Sequence, residues 1–310
     1  MVSGRRFLLG VLCFLSLASP AFQECKEAYR LRRPTHTACR PPNKNCKIAK
    51  KGVSPTDIVL ILKTHNDYRS MVAMGKLKGF PAAADMRELE WDAELASVAQ
   101  ALAEQCTDSE GESDHDNYRD RFTTQFPKTG QNLAFRGRNF PFHKNDWTGR
   151  VREWFVEHAD YEPERRHSFR KLPQDKRKPT GHFTQLVWAE TSFVGCGFVE
   201  YSVVNATRLP YMQYYVCNYA ATGNVFKRPL YREGEPCSAC PAGTVCDKGV
   251  GLCSLEGKKE NSQLGKEGEK LERAEPNAAA SGLYWQGAVF CTVVIGALGT
   301  LRGQRAIFLI

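Results

Sequence analysis

Twelve cysteines in 310 residues constrain this chain more than any other feature. That density does not suit a reducing compartment, so the sequence calls for an oxidising one and for a fold braced by disulfides. The N-terminus agrees. Arg5 and Arg6 precede an apolar run over residues 7–17, and Ser19-Pro20-Ala21 offers small residues for cleavage. Residues 1–21 therefore read as a signal peptide, too short to be a spanning helix. Its removal takes away Cys13, and Cys291 lies in an apolar tail, which leaves ten cysteines, an even number that suits complete pairing. A hydrophobic content of 42% with 25% charged residues is ordinary globular composition, enough for a real core. The net charge of +9, apportioned along the chain, leaves +6 on the ectodomain. That favours anionic surfaces but is no nucleic-acid signature.

Residues 22–53 are rich in Pro, Lys and Arg, carry Cys25, Cys39 and Cys46, and show no apolar period, so they read as a disulfide-pinned extended arm. Ser54-Pro55-Thr56-Asp57 has the order of a capping box, and the helix after it should stop near Gly75. Asp92 caps a second helix whose Leu95, Val98, Ala99 and Leu102 share one face. Residues 107–129 are polar and loop-like, and a third helix is expected over 145–161. Strands are expected at 182–188, 193–201 and 211–219, the first because Phe183, Leu186, Val187 and Trp188 supply β-branched or aromatic bulk. Helices early and antiparallel strands late indicate an α+β fold. Asn205-Ala206-Thr207 is a glycosylation sequon in the expected turn between two strands.

Four cysteines, Cys237, Cys240, Cys246 and Cys253, then make a small module over 231–254. In the cytosol this spacing would suggest zinc; behind a signal peptide it suggests disulfides. Residues 255–282, rich in Glu, Lys and Gly without aromatics, read as a solvated linker. Residues 283–301 are apolar and followed by Arg302 and Arg305. The 283–310 segment fits a single spanning helix with basic cytoplasmic flank, and it fits a lipid-anchor signal. Either reading tethers the domain outside the cell.

Four ordered segments carry a family resemblance: H-N-D-Y-R at 65–69, G-Q-N-L at 130–133, G-H-F-T-Q-L-V-W-A-E-T at 181–191 and Y-Y-V-C-N-Y-A-A-T-G-N-V at 214–225. Together they resemble the signature set of the CAP superfamily: cysteine-rich secretory, antigen five and pathogenesis-related proteins. The resemblance runs from about Cys25 to Cys253. It implies an α/β/α sandwich over 54–230, with 231–254 as the small disulfide-rich hinge. His65, Asn66 and Arg69 are then polar anchors of the fold. The further six-cysteine module of channel-blocking relatives is missing after the hinge.

In this family a central cleft is lined by two histidines and two acidic positions. Carried over, these are His115, Glu157 and His182, with the fourth falling on Gln131, where many relatives have Glu. H-D-N-Y-R at 115–119 resembles the H-D-x-C-R of arthropod antigen five, which also shares the Gln. The arm and loop cysteines of that subfamily are here both tyrosine, Tyr29 and Tyr118, so one bridge is lost from both ends. By the same resemblance the pairs are Cys25–Cys39, Cys46–Cys106, Cys196–Cys217, Cys237–Cys246 and Cys240–Cys253.

Two neutral imidazoles, His115 and His182, make a half-site for divalent Zn or Cu. Gln131 removes one negative charge and one general base from it. The blander reading is a hydrogen-bonded polar cluster that stiffens the core. No Ser or Cys nucleophile with a matching base stands in any motif. Between residues 164 and 179 a basic loop presents Arg165, Arg166, Lys176, Arg177 and Lys178; it is either a solvated loop or a patch for sulfated glycans or acidic lipid heads. The expectation is an extracellular, non-enzymatic protein of the venom-allergen type that binds a lipid, a sterol or an extracellular protein. The alternative is a metal-dependent hydrolase working from the His115/His182 cleft.

Overall fold

The computed structural model describes residues 25–41, 43–106, 115–170, 179–203 and 209–257. The leader, the sequon at Asn205, the loop cations Lys176, Arg177 and Lys178, the linker and the apolar segment 283–310 lie outside the described residues. Among the described residues no helix is long and apolar enough to cross a membrane.

In chain order the elements are α1 (Glu27–Arg32), β1 (Cys46–Lys51), α2 (Pro55–Ala73), β2 (Glu90–Trp91), α3 (Ala93–Ala103), β3 (Gly130–Arg138), α4 (Trp147–Val156), α5 (Gly181–Leu186), β4 (Phe193–Val203), β5 (Tyr211–Ala220), β6 (Thr244–Asp247) and β7 (Leu252–Leu255). Short polar side chains start three of the helices. Ser54 and Asp57 exchange hydrogen bonds in a complete capping box at α2, Asp92 accepts from Leu95 N–H at α3, and Asp146 accepts from Gly149 N–H at α4. Helix α2 ends where Gly75 takes φ +65°, a conformation that costs glycine little.

The main sheet runs β1-β4-β5-β3, with β2 alongside β4. All pairs are antiparallel except β2 with β4. Side chains alternate across β4 and β5, so each strand feeds two cores. Cys196, Phe198, Tyr215, Cys217 and Tyr219 join a core with residues of α2, α4 and α5. Val199, Tyr201, Tyr214 and Val216 join another with Ala99, Leu102 and Ala103 of α3. Helices thus cover both faces of one sheet, an α/β/α sandwich. On the α3 face, Gly195 and Gly197 let the helix lie on the strand; a Cβ at either would come within 2.4 Å of α3-segment backbone.

Three expectations need correcting. Residues 182–188 are not a strand: 181–186 form helix α5. Periodicity does not distinguish a short apolar run that is buried all round, and tertiary contacts decided it. Phe183, Leu186 and Val187 stand at i, i+3 and i+4 and are fully buried, and Val187 N–H bonds to Phe183 O at 3.1 Å. The arm is not simply extended. It holds α1, a 3₁₀ turn at Thr37–Cys39 and strand β1, whose lysines face solvent along the sheet edge. The third helix is shorter than expected, because α4 gives way at Glu157 to the 3₁₀ turn Glu157–Asp160.

Five disulfides close Cys25–Cys39, Cys46–Cys106, Cys196–Cys217, Cys237–Cys246 and Cys240–Cys253. The last two brace the β6–β7 hairpin. That hairpin is stitched to the sandwich: Cys253 N–H bonds to Met86 O at 2.8 Å, and Ser70 Oγ donates to Val250 O at 2.7 Å.

Candidate functional site

Glu157 sits where α4 tightens into its 3₁₀ turn, and this places its carboxylate at the N-terminus of α5. One oxygen accepts from His182 N–H at 2.9 Å and from Phe183 N–H at 3.1 Å. The other lies 2.6 Å from His182 Nδ1. A carboxylate on the first amides of a helix satisfies donors that have no partner within the helix. It also orients the imidazole: Nδ1–H faces Glu157, and Nε2 takes no hydrogen bond among the described residues.

His115 repeats the pattern from another direction. Its Nδ1 bonds to Gln131 Oε1 at 2.8 Å, again leaving Nε2. Gln131 lies on β3, donates Nε2–H to Asn218 Oδ1 on β5 at 2.9 Å, and accepts from Arg121 Nη1 at 2.8 Å. Arg121 in turn pairs with Asp116 at 2.6 Å. The His115 pKa is lowered, first by desolvation, against which the Gln131 hydrogen bond works, with the Arg121 charge adding to the lowering. A site that disfavours protonation keeps a histidine available as a neutral ligand at physiological pH.

The arm determines where His115 stands. His36 bonds from Nε2–H to Phe122 O at 2.8 Å and stacks on Tyr29 at 3.9 Å between centroids. Thr37 N–H donates to Asp120 O at 2.7 Å, Arg33 pairs with Asp120 at 2.5 Å, and Thr37 Oγ1 donates to Asp116. The loop carrying His115 is therefore held by the disulfide-braced arm on one side and by Gln131 on the other. Tyr29 is buried and donates to Glu94, whereas Tyr118 is exposed beside Arg119.

Beneath the site lie the polar anchors. His65 is fully buried, with Nδ1–H on Ile61 O at 2.8 Å and Nε2 accepting from Tyr219 O–H at 2.9 Å. Burial pushes its pKa down to about 4. Tyr219 Oη accepts from Asn132 Nδ2–H, which also donates to His182 O at 3.1 Å. Arg69, also fully buried, donates to Arg87 O, Leu186 O, Trp188 O and Thr191 O at 2.6–2.9 Å and so pins the turn after α5.

Sequence reasoning named His115, Gln131, Glu157 and His182 but not Arg121, Asn132, Asn218 or Tyr219, which join them. The last three lie inside the quoted segments; Arg121, in a polar loop, carries no periodic signal at all. Among the described residues, three potential donors converge within 4.8 Å at Cys237, Cys240 and Cys253, but each of these sulfurs is in a disulfide and is no thiolate ligand. Of the basic loop, Arg166 is ion-paired with Glu233 and Arg165 donates to Arg170 O at 2.6 Å.

Residues 62–219 match the sequence model of CAP, the cysteine-rich secretory protein family. The chain belongs to that family. This CAP protein is 39% identical over 237 residues, 75% of its length, to "CRISP/Allergen/PR-1" of Trittame loki, and spans 55% of that relative's own length. It is 35% identical over 212 residues to "Venom allergen 5" of Vespula maculifrons, covering 65% of this chain and 95% of that one. The crystal structure of Na-ASP-1 shares the fold with a TM-score of 0.52 at 24% identity, over 69% of this chain and 52% of that one.

Proposed function

We propose that this CAP protein works outside the cell as a non-enzymatic binding effector of the venom-allergen type, taking a lipid, a sterol or an extracellular protein. The observation that carries the reading is the occupancy of Gln131. Its amide oxygen takes the His115 and Arg121 donors at once, at the position where a carboxylate would serve as general base. Two further facts support it. Among the described residues all ten cysteines are in disulfides, and the hydrogen bonds of the His115 and His182 rings run to Gln131 and Glu157, not to a Ser or Thr hydroxyl, so the described residues offer no Ser, Thr or Cys nucleophile paired with a cleft histidine. For an apolar ligand, Val59 and Leu60 on α2 and Val156 on the neighbouring α4 leave apolar surface open to solvent.

The unengaged Nε2 atoms favour a second property of the same cleft, the holding of a divalent Zn or Cu ion by His115 and His182. The residues fit: imidazoles whose Nδ1–H is fixed by Gln131 or by a carboxylate are the usual form of a metal-ligating histidine. Such an ion would supply Lewis acidity, and the protein side chains would orient its two ligands. The hydrolase alternative needs that ion plus a base, and Gln131 is not one.

The experiment is a lipid-extraction mass spectrum of the purified full-length protein, run with its metal content and a protease and esterase screen. A co-purifying lipid or sterol and no turnover is the expected result. Turnover abolished in His182→Ala would replace the binding reading with the hydrolase.

A further inference from the structure

A second basic surface gathers at the far end of β3. The stretch 135–145 contains Arg136, Arg138, His143 and Lys144 and no acid. These four line a cavity of about 250 Å³ together with Phe142 and the start of α4. The one acid at its wall, Asp146, is committed: it caps α4 through Gly149 N–H and pairs with Arg136 at 3.2 Å and Arg150 at 3.4 Å. Among the described residues, neither Arg138 nor Lys144 meets a carboxylate, so two positive charges remain over after that accounting.

The cations are held in place. The Arg138 guanidinium lies 3.9 Å from the centroid of the buried Phe142 ring and 4.5 Å from that of Phe140, and donates to Pro141 O at 2.6 Å. Stacking of this kind fixes the plane of the fork and leaves its remaining N–H groups for an anion. Lys144 has its backbone pinned, since its carbonyl accepts from Gln213 Nε2 on β5 at 3.1 Å. Phe140 is 60% exposed, an apolar ring standing next to fixed cations.

We propose that this cavity binds a sulfated polysaccharide, with Arg138 and Lys144 on sulfate groups and the Phe140 ring against a sugar face. Two terminal oxygens of a tetrahedral sulfate ester can accept together from the planar arginine fork. The cavity is smaller than the roughly 300–1,000 Å³ of sites that enclose a drug-sized ligand, so it suits one segment of a polymer that continues past it. An acidic bilayer fits less well: Phe142 is turned inward, and the single exposed ring buries little apolar area in a membrane. Of the 164–179 loop, Arg166 is already paired with Glu233, and Lys176, Arg177 and Lys178 lie outside the described residues.

The test is binding of the full-length protein to immobilised heparin, with N- and O-desulfated heparin and phosphatidylserine vesicles as comparisons. Wild type should bind heparin, lose affinity as salt is raised, and ignore the desulfated polymer. Arg138→Ser with Lys144→Ser should weaken binding by roughly tenfold or more, and Arg165→Ser with Arg166→Ser should leave it within about twofold of wild type. Because losing Arg138 also removes a packing partner of Phe142, Lys144→Ser alone is the control; it should weaken binding severalfold at an unchanged melting temperature. Wild-type affinity in Lys144→Ser and in the double variant would overturn the proposal. So would binding to the vesicles without binding to heparin, or a loss confined to the Arg165/Arg166 variant.

Discussion

His65 and His182 lie on opposite ends of one hydrogen-bond chain, and what separates them is a single ring nitrogen. His65 has both nitrogens engaged, one with Ile61 O and one with Tyr219, and no exposure to solvent. His182 spends Nδ1 on Glu157, keeps a quarter of its side chain exposed and has Nε2 to offer. Asn132 connects the two, since its amide reaches both Tyr219 and the His182 carbonyl. The lesson is that a histidine's role here follows from the unspent donor or acceptor rather than from the residue type. The lower network is closed; the upper cleft leaves one ring nitrogen of each imidazole for the ligand proposed above.

Substitution breaks the comparison most sharply at Arg69. Arg69→Ala strands buried carbonyls at Arg87 and along the turn after α5 and should cost about 4 kcal/mol or more in urea unfolding. A loss under about 1 kcal/mol would mean that the buried guanidinium does not hold the turn. The closed network also predicts an acid signature. The His65 pKa falls from an ordinary 6.5 to about 4 on folding, so the unfolded chain binds more protons between those values. The stability associated with it is complete above pH 6.5 and is lost as pH drops through 4, a change of ~3 kcal/mol. His65→Gln should be less stable at pH 7 and should flatten unfolding free energy across that window; an unchanged slope would assign the acid loss to other groups, with His36 and His115, both lowered, next in line.

Glu157→Ala removes the acceptor of two α5 amides and should cost ~2 kcal/mol, visible also as faster hydrogen exchange at His182 and Phe183. His182→Ala is expected to be the mildest, at ~1 kcal/mol or less, because Glu157 keeps both amides. A ranking with His182→Ala above His65→Gln would erase the distinction between the closed network and the open cleft.

The parts of this fold legible in the sequence are those fixed by local chemistry. Ser54 and Asp92 each start a helix with their own side chain, and the runs from 193 and 211 carry enough aromatic and β-branched residues to read as strands. The cleft residues were legible only through the family resemblance, since His115, Gln131, Glu157 and His182 lie far apart in the chain with no shared period. Helix α5 reads as a strand because Phe183 and Leu186 within it and Val187 and Trp188 just after it are all buried, which erases the contrast between faces that a period needs. Strand β3 was missed for the opposite reason: G-Q-N-L-A-F-R-G-R is polar and glycine-bearing, and only pairing with β5 along its whole length makes it a strand. Arg121 stayed invisible because its partners Asp116, Thr129 and Gln131 are chosen by the loop's path.

The most direct measurement is the ¹⁵N spectrum of histidine-labelled full-length protein, recorded near neutral pH with and without added zinc. The Nε2 signals of residues 115 and 182 should move together on adding the ion while that of residue 65 stays fixed. Movement at residue 65, or indifference at both cleft imidazoles, would contradict the division of this molecule into a sealed network and an open site.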